Sequence, residues 1–177
     1  MRRRAKRRKL TVSAPEGLIS FIVRPARIRD VGAMTRLIEQ RREQYERVQP
    51  VFWKRAAGSA ATTRWFYTSL LLLARHKLAL VADNEGALLG FLIARRVRTP
   101  PVYDPGGPTA VIDDFCVGRP EDWIVVGGEL LAHARTFGRK AGWSQIVVVC
   151  GAQDEPKSEF LRSTDLALVT NWWRGAA

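Results

Sequence analysis

The sequence has few of the residues that build metal centres and covalent cross-links. Its 177 residues include two cysteines, Cys116 and Cys150, and two histidines, His76 and His133, and none of the four lies at a metal-ligand spacing. A zinc site therefore lacks its usual ligands, and we expect no metal. Two cysteines so far apart in the chain are expected to be small buried thiols, as is typical of proteins from a reducing compartment.

Long apolar runs and targeting segments are also lacking. The apolar run at residues 69–74 is much shorter than the roughly 20 residues that a membrane-spanning helix needs. The basic N-terminus is not followed by the apolar stretch of a secretion signal. We therefore expect a soluble, cytoplasmic protein without a membrane partner.

Positive charge is plentiful but unevenly spread. The formal net charge is +12, and residues 2–9 carry seven of the 29 basic side chains. The rest of the chain has 22 basic against 17 acidic residues, an excess of only +5. We expect residues 1–17 to form a basic, disordered tail and residues 18–177 to form one domain. The tail is either a solvated leader or an arm for non-specific contact with nucleic acid.

Hydrophobic periodicity divides the domain into alternating strands and helices. The predicted strands span residues 19–25, 78–82, 88–97, 109–117, 145–150 and 165–173. The predicted helices span residues 30–48, 51–77, 122–141 and 154–163, and we expect an interruption of the second at Gly58-Ser59. Asp30 and Asp154 are the expected N-caps, and Gly142 the expected C-terminal glycine. This order predicts an α/β protein with a mixed sheet of six to seven strands flanked by about four helices.

The junction between the strand at 109–117 and the helix that follows it is the most informative segment. Ile112-Asp113-Asp114-Phe115-Cys116-Val117 is followed by Gly127-Gly128-Glu129-Leu130-Leu131. This segment resembles the coenzyme A site of the GNAT acyltransferases, and the resemblance covers about residues 19–173. In that family the main-chain N–H groups of the loop hold the coenzyme diphosphate. A helix N-terminus suits this task because its N–H groups are free and its dipole is positive there.

The resemblance implies acetyl-coenzyme A as cosubstrate. The residues that it places at the coenzyme are Phe115, Cys116, Val117, Val125, Val126, Gly127, Gly128 and Glu129. Arg119 is the candidate cationic partner of the phosphates in place of Asp122. Lys157 is a further candidate for a phosphate contact, with a solvated lysine as the alternative. The chain departs from the family pattern at three positions. Val125 replaces a small residue, Asp122 replaces a basic or amide side chain, and Leu161 replaces the tyrosine that often protonates the leaving thiolate.

Two adjacent carboxylates are the candidate catalytic groups. Transfer of an acetyl group to an amine requires a base for the amine proton and a donor that polarises the thioester carbonyl. The resemblance to spermidine/spermine acetyltransferases favours Asp113 as the base, with Asp114 orienting the substrate. Neighbouring residues of a strand point to opposite faces, so only one of them can face a given cleft. The alternative is that one carboxylate caps a helix and the other is solvated.

The function predicted from the resemblance is acetyl-coenzyme A-dependent N-acetylation of a small-molecule or peptidyl amine, by a monomer or homodimer. One alternative is a catalytically weak or inactive module that keeps the fold and the coenzyme, which the departures at Asp122, Val125 and Leu161 favour. A second alternative is a nucleic-acid-associated protein that uses the basic tail.

Overall fold

The computed structural model describes residues 10–14, 17–73, 77–98 and 102–174, and for residues 10–14 and 17–19 the main chain only. Six strands are present: β1 (Leu10–Ala14), β2 (Gly17–Pro25), β3 (Lys77–Asn84), β4 (Ala87–Val97), β5 (Thr109–Val117) and β6 (Gln145–Val148). The four α-helices are α1 (Val31–Val48), α2 (Ser59–Leu73), α3 (Gly128–Lys140) and α4 (Glu155–Arg162). No helix in these ranges has the length and apolarity to cross a membrane.

The strands form one mixed sheet in the order β1-β2-β3-β4-β5-β6. The first five pair antiparallel, and β5 pairs parallel with β6 through Thr109↔Gln145 to Ile112↔Val148. A helix must connect two parallel neighbours, and α3 does so here. The predicted mixed sheet of six to seven strands with about four helices is therefore confirmed.

The sheet has a separate apolar cluster on each face. One cluster joins α1 and α2 to the sheet through Met34, Ile38, Tyr67 and Phe91. The other joins α3, α4 and the turn before α3 to the opposite face, and its buried members include Leu92, Ile112, Phe115, Trp123, Leu130 and Phe160. The two faces explain why β3 and β4 are almost continuously apolar, since both sides of each strand are covered.

Three expectations from the sequence differ from the structure. Leu10–Ala14, expected to be disordered, forms β1, whereas the basic residues 2–9 lie outside the described residues. Residues 51–57 are not helical, and α2 begins at Ser59 after Gly58, whose φ is 76°. The predicted closing strand at residues 165–173 is not formed, because this segment has no strand partner among the described residues.

A buried ion-pair cluster fixes the start of α1. Arg24 donates to the carboxylates of Asp30, at 2.6 and 2.9 Å, and Asp83, at 2.7 Å. Asp30 also accepts the Arg27 main-chain N–H at 2.7 Å, so its carboxylate does not cap α1 in the way we expected. Asp154 does act as predicted, accepting the Lys157 main-chain N–H at the start of α4.

Candidate functional site

A β-bulge separates the two candidate catalytic carboxylates. Along β4 and β5, Ile93 pairs with Asp114 but Ala94 pairs with Ile112, so Asp113 is an extra residue without a partner on β4. A bulge bends the strand and changes the direction of its side chains. The two aspartates consequently have different surroundings, which strand alternation alone does not specify.

Asp113 lies on the more open side of the bulge. Its carboxylate forms an ion pair with Arg95 of β4, and it accepts the main-chain N–H of Asp114 at 3.0 Å. About a third of the Asp113 side chain is exposed, and the Arg95 side chain is exposed to 44%. This carboxylate is therefore held by a partly solvated arginine.

Asp114 faces the helices α1 and α2. The Tyr67 hydroxyl lies beside the Asp114 carboxyl without forming a hydrogen bond of standard geometry. Arg42 is the cation whose charge lowers the pKa of Asp114 most. Burial and the negative charge of Asp113 raise the pKa of Asp114, and Arg42 and Tyr67 only partly oppose this increase. A carboxylate with a raised pKa accepts a proton more readily near neutral pH.

A polar network joins α1 and α2 next to Asp114. Arg42 donates to Glu39 at 2.8 Å and to the hydroxyl of Thr63. Ser59 donates to the other Glu39 oxygen at 2.6 Å. Burial raises the pKa of Glu39, but the hydrogen bonds from Ser59 and Arg42 outweigh it and lower the pKa. Glu39 is therefore held as an anion, whereas Asp114 is biased toward its neutral form.

The side chains of the last β5 residues lie alternately on the two faces of the sheet. Phe115 is buried against Trp123, with ring centroids 4.9 Å apart, and Val117 packs against the same cluster. Cys116 is fully buried on the α1/α2 face, and burial raises the pKa of its thiol to about 12. Since the thiolate is the reactive form, Cys116 is inert as a nucleophile, and its main chain is what it offers to a ligand.

The turn after β5 is helical from Pro120 onward. A 3₁₀ turn at Pro120–Asp122 leads into a π-helical turn at Trp123–Gly127, which continues as α3. Arg119 donates to both carboxylate oxygens of buried Asp122, at 3.2 and 3.0 Å. The acidic residue that stands in place of the family's basic or amide side chain is therefore neutralised within the protein.

The two glycines at the start of α3 have different roles. A Cβ atom on Gly127 would lie 2.7 Å from the Trp123 ring, whereas one on Gly128 would meet no atom within 4 Å. Gly127 therefore makes room for Trp123 and not for a ligand. Val126 is buried and Val125 is half-buried against the same core, while Glu129 lies 3.8 Å from His133 on the surface of α3.

Lys157 is buried between the ends of β5 and β6. Its ammonium donates to the main-chain oxygens of Phe115, at 3.1 Å, and Val149, at 2.8 Å, and only 2% of the residue is exposed. It also lies over the rings of Phe115 and Trp123. Burial, with the charge of Arg41, lowers the pKa of Lys157 to about 8. The expected contact with a coenzyme phosphate is thus not supported, because the ammonium is enclosed within the protein.

Some residues of this site carry no signal in the sequence. Tyr67 and Arg42 belong to amphipathic helices, in which an aromatic or an arginine is unremarkable. Trp123, which fills the space over Gly127, has a buried indole N–H without a hydrogen-bond partner in the described part of the chain. A tryptophan four residues before a glycine pair was the available hint for this packing.

The arrangement is compatible with a bound coenzyme A in two respects. A Cβ atom on Gly128 would meet no atom within 4 Å, so there is open space beside the beginning of α3, although the Gly128 N–H itself already donates to the main-chain oxygen of Trp123. The buried indole N–H of Trp123 is an unused donor near the end of β5. Among the described residues, no group of three or more histidine, cysteine or acidic side chains is placed to hold a metal ion.

Comparison with solved structures identifies the fold. The tetramutant of the BH1408 protein from Bacillus halodurans superposes with a TM-score of 0.73 at 17% identity, covering 88% of this chain and 99% of that one. A predicted acetyltransferase with acetyl-CoA from Clostridium acetobutylicum gives 0.64 at 14% identity, covering 88% and 96%. A ribosomal-protein-alanine N-acetyltransferase from Brucella melitensis gives 0.58 at 17% identity, covering 88% and 97%.

No protein-family model and no curated protein sequence matches the chain. At 14–18% identity, the structural likeness defines the fold alone. The chain has the acetyltransferase fold that its resemblance to the GNAT acyltransferases predicted.

Proposed function

We propose that this protein transfers an acetyl group from acetyl-coenzyme A to an amine of a small molecule or peptide. The observation that carries this proposal is the position of Asp114, at the bulge of β5 beside Arg42 and Tyr67, with its pKa raised by burial. The same strand ends at Val117, where the main chain is close to the start of the helical turn. A base and main-chain donors on one strand are what amine acylation requires.

Asp114 replaces Asp113 as our candidate base. Asp113 is held in an ion pair by Arg95 at a partly solvated position, so its carboxylate is already engaged. Asp114 faces the polar side chains of Arg42 and Tyr67, and Arg42 also donates to Thr63; we propose that the acceptor amine approaches Asp114 from this polar side. In this proposal Asp114 takes the amine proton and Asp113 keeps Arg95 in place.

Coenzyme binding falls to main-chain groups more than to side chains. We propose that the main chain of Cys116 and Val117 holds the thioester end and that the open space beside Gly128, at the start of α3, takes the diphosphate. Arg119 contributes positive charge at the loop entrance, although Asp122 and Glu121 already engage it. The coenzyme, when bound, supplies the activated acyl thioester.

A second candidate function is a coenzyme-binding module without catalysis. Leu161 packs against the apolar core, so the position at which the family often has a tyrosine carries no acid. The enclosed Lys157 ammonium also occupies the space between the ends of β5 and β6. Both observations favour a protein that has kept the fold but lost part of the chemistry.

The decisive experiment combines binding with turnover. Isothermal titration with acetyl-coenzyme A measures affinity, and release of free thiol in the presence of a panel of mono- and polyamines measures transfer. We expect Asp114→Asn to lower kcat by about 100-fold or more, as for loss of a general base, with little change in acetyl-coenzyme A affinity. Asp113→Asn is the matched control, for which we expect a loss below about tenfold.

Each other outcome has a definite meaning. Binding without thiol release for any amine supports the second candidate function. Absence of binding overturns both candidates. Equal losses in Asp113→Asn and Asp114→Asn would refute the assignment of the base to Asp114 alone.

A further inference from the structure

The C-terminal segment at residues 167–174 is the most apolar exposed part of the described chain. Leu168, Val169, Trp172 and Trp173 have 78–93% of their surface exposed. A single exposed apolar residue is ordinary, but four within six residues, two of them tryptophans, indicate a surface that is covered by a partner. We call residues 167–174 the tail strand, because their sequence predicts a β-strand.

One edge of the sheet is available to such a strand. In the described part of the chain β6 pairs only with β5 and ends the sheet. Val149, directly after β6, is 43% exposed. Trp143, two residues before β6, makes an edge-to-face contact with the exposed ring of Phe137, with ring centroids 5.3 Å apart. An uncovered edge strand with apolar flanks is a template for pairing with another strand.

The beginning of the tail strand is fixed to its own domain. Asp165 forms an ion pair with Arg135 of α3 at 2.5 Å, and Leu166 packs against the apolar core. The Leu166 N–H also donates to the hydroxyl of Thr164 at 3.2 Å. These contacts hold the chain up to Leu166, and the apolar side chains that follow are directed away from their own core.

We infer that the tail strand of each chain adds to the free edge of β6 in a second copy of this protein, so that two chains exchange their C-terminal strands. Each copy carries both the donor strand and the acceptor edge. A reciprocal exchange therefore satisfies both surfaces in one closed dimer with two-fold symmetry. Backbone pairing supplies the affinity, and alternate side chains of the strand fill apolar positions beside the edge.

The area is sufficient for a stable dimer. A tryptophan buries about 150–250 Å², so the two tryptophans with Leu168 and Val169 bring roughly 500 Å² of apolar surface from each tail strand. The area buried by two tail strands, together with the surface that they cover, therefore falls in the range of about 1,200–2,000 Å² that standard protein interfaces bury. A different protein that offered only one complementary strand would leave the tail strand or the edge of β6 unused.

Mass in solution tests this inference. Size-exclusion chromatography with light scattering of the full chain should give twice the 19.9 kDa chain mass. The double substitution Trp172→Ser/Trp173→Ser should give a monomer of 19.9 kDa that keeps the helical circular dichroism signal of the parent protein. The matched control is Trp65→Ser, which alters a tryptophan that is 70% exposed on α2 and should remain a dimer.

A mixing experiment distinguishes strand exchange from any other dimer. Val149→Asp places a charge beside the acceptor edge, leaves the tail strand intact, and should also give a monomer. Mixing this variant with Trp172→Ser/Trp173→Ser should restore a heterodimer, because one intact tail strand then meets one intact edge. A monomeric parent protein, a dimer that survives the double substitution, or a mixture that stays monomeric would overturn the inference.

Discussion

Burial of Lys157 predicts a dependence of stability on pH that can be calculated. The ordinary pKa of this side chain is 10.5, and burial lowers it to about 8 in the folded protein. The folded state therefore releases the proton at lower pH than the unfolded state does. Between these two values the unfolded chain binds one proton more, so the free energy of unfolding rises with pH.

The expected magnitude is large for one side chain. Each unit of difference between the two pKa values corresponds to about 1.36 kcal/mol. Keeping Lys157 charged and buried therefore lowers the free energy of unfolding by roughly 3 kcal/mol at pH 7, where both states are protonated. Most of this cost disappears as the folded state deprotonates. We therefore expect the free energy of unfolding to rise by about 2.5 kcal/mol from pH 7 to pH 10 through Lys157 alone.

Urea unfolding of the protein and of Lys157→Met at pH 7, 8, 9 and 10 measures this effect. The difference between the two proteins cancels other groups that titrate in this range. Lys157→Met should lack the rise of about 2.5 kcal/mol, whereas the control Lys140→Met, which alters an exposed lysine at the end of α3, should keep it. Parallel pH profiles for the parent protein and Lys157→Met would refute the buried position of this ammonium.

Two further predictions concern the packing of the fold. Gly127→Ala should destabilise the protein by about 1–3 kcal/mol, since its Cβ would lie 2.7 Å from the Trp123 ring. Gly128→Ala is the control, because there is open space at that position. Equal urea midpoints for the two variants would contradict the difference between the two glycines. Arg24→Met should cost about 3–5 kcal/mol, because it leaves the buried carboxylates of Asp30 and Asp83 unpaired. Burial raises the pKa of both aspartates, but the hydrogen bonds from Arg24 and the main chain outweigh it and lower the pKa below 3.8, so the parent protein loses stability as pH falls below that value. The variant should instead be relatively less unstable in acid, and thermal melts at pH 7 and about pH 3 that shift equally in both proteins would contradict this.

The sequence predicts the elements that depend on local patterns. The apolar runs of β3 and β4, the turn at Glu85-Gly86 between them, and Gly142 with φ 69° after α3 all lie close to where periodicity and turn chemistry place them. Each of these features depends on a few neighbouring residues. The predicted closing strand failed because a strand requires a partner as well as a β-rich sequence.

The interior of the candidate site depends on long-range packing and is less accessible to prediction. Lys157 lies on a short amphipathic helix, where a solvated lysine is the ordinary expectation, yet its ammonium reaches Phe115, 42 residues away in the chain. Arg24 and Asp83, 59 residues apart, meet only because β2 pairs with β3. Such contacts follow from strand register, which local composition does not specify.

The bulge of β5 shows why register also determines the proposed chemistry. Without it, Asp113 and Asp114 would alternate regularly across the strand, and the resemblance alone would choose between them. The extra residue at Asp113 shifts the alignment with β4 and turns Asp114 toward Tyr67 and Arg42. Deleting Asp113 would remove the bulge and place Ile112 directly before Asp114, where both residues keep their present partners, Ala94 and Ile93, and their opposite faces. The single-residue deletion should therefore preserve the fold and the position of Asp114, as Asp113→Asn should, and a deletion variant that fails to fold would contradict this view of the bulge.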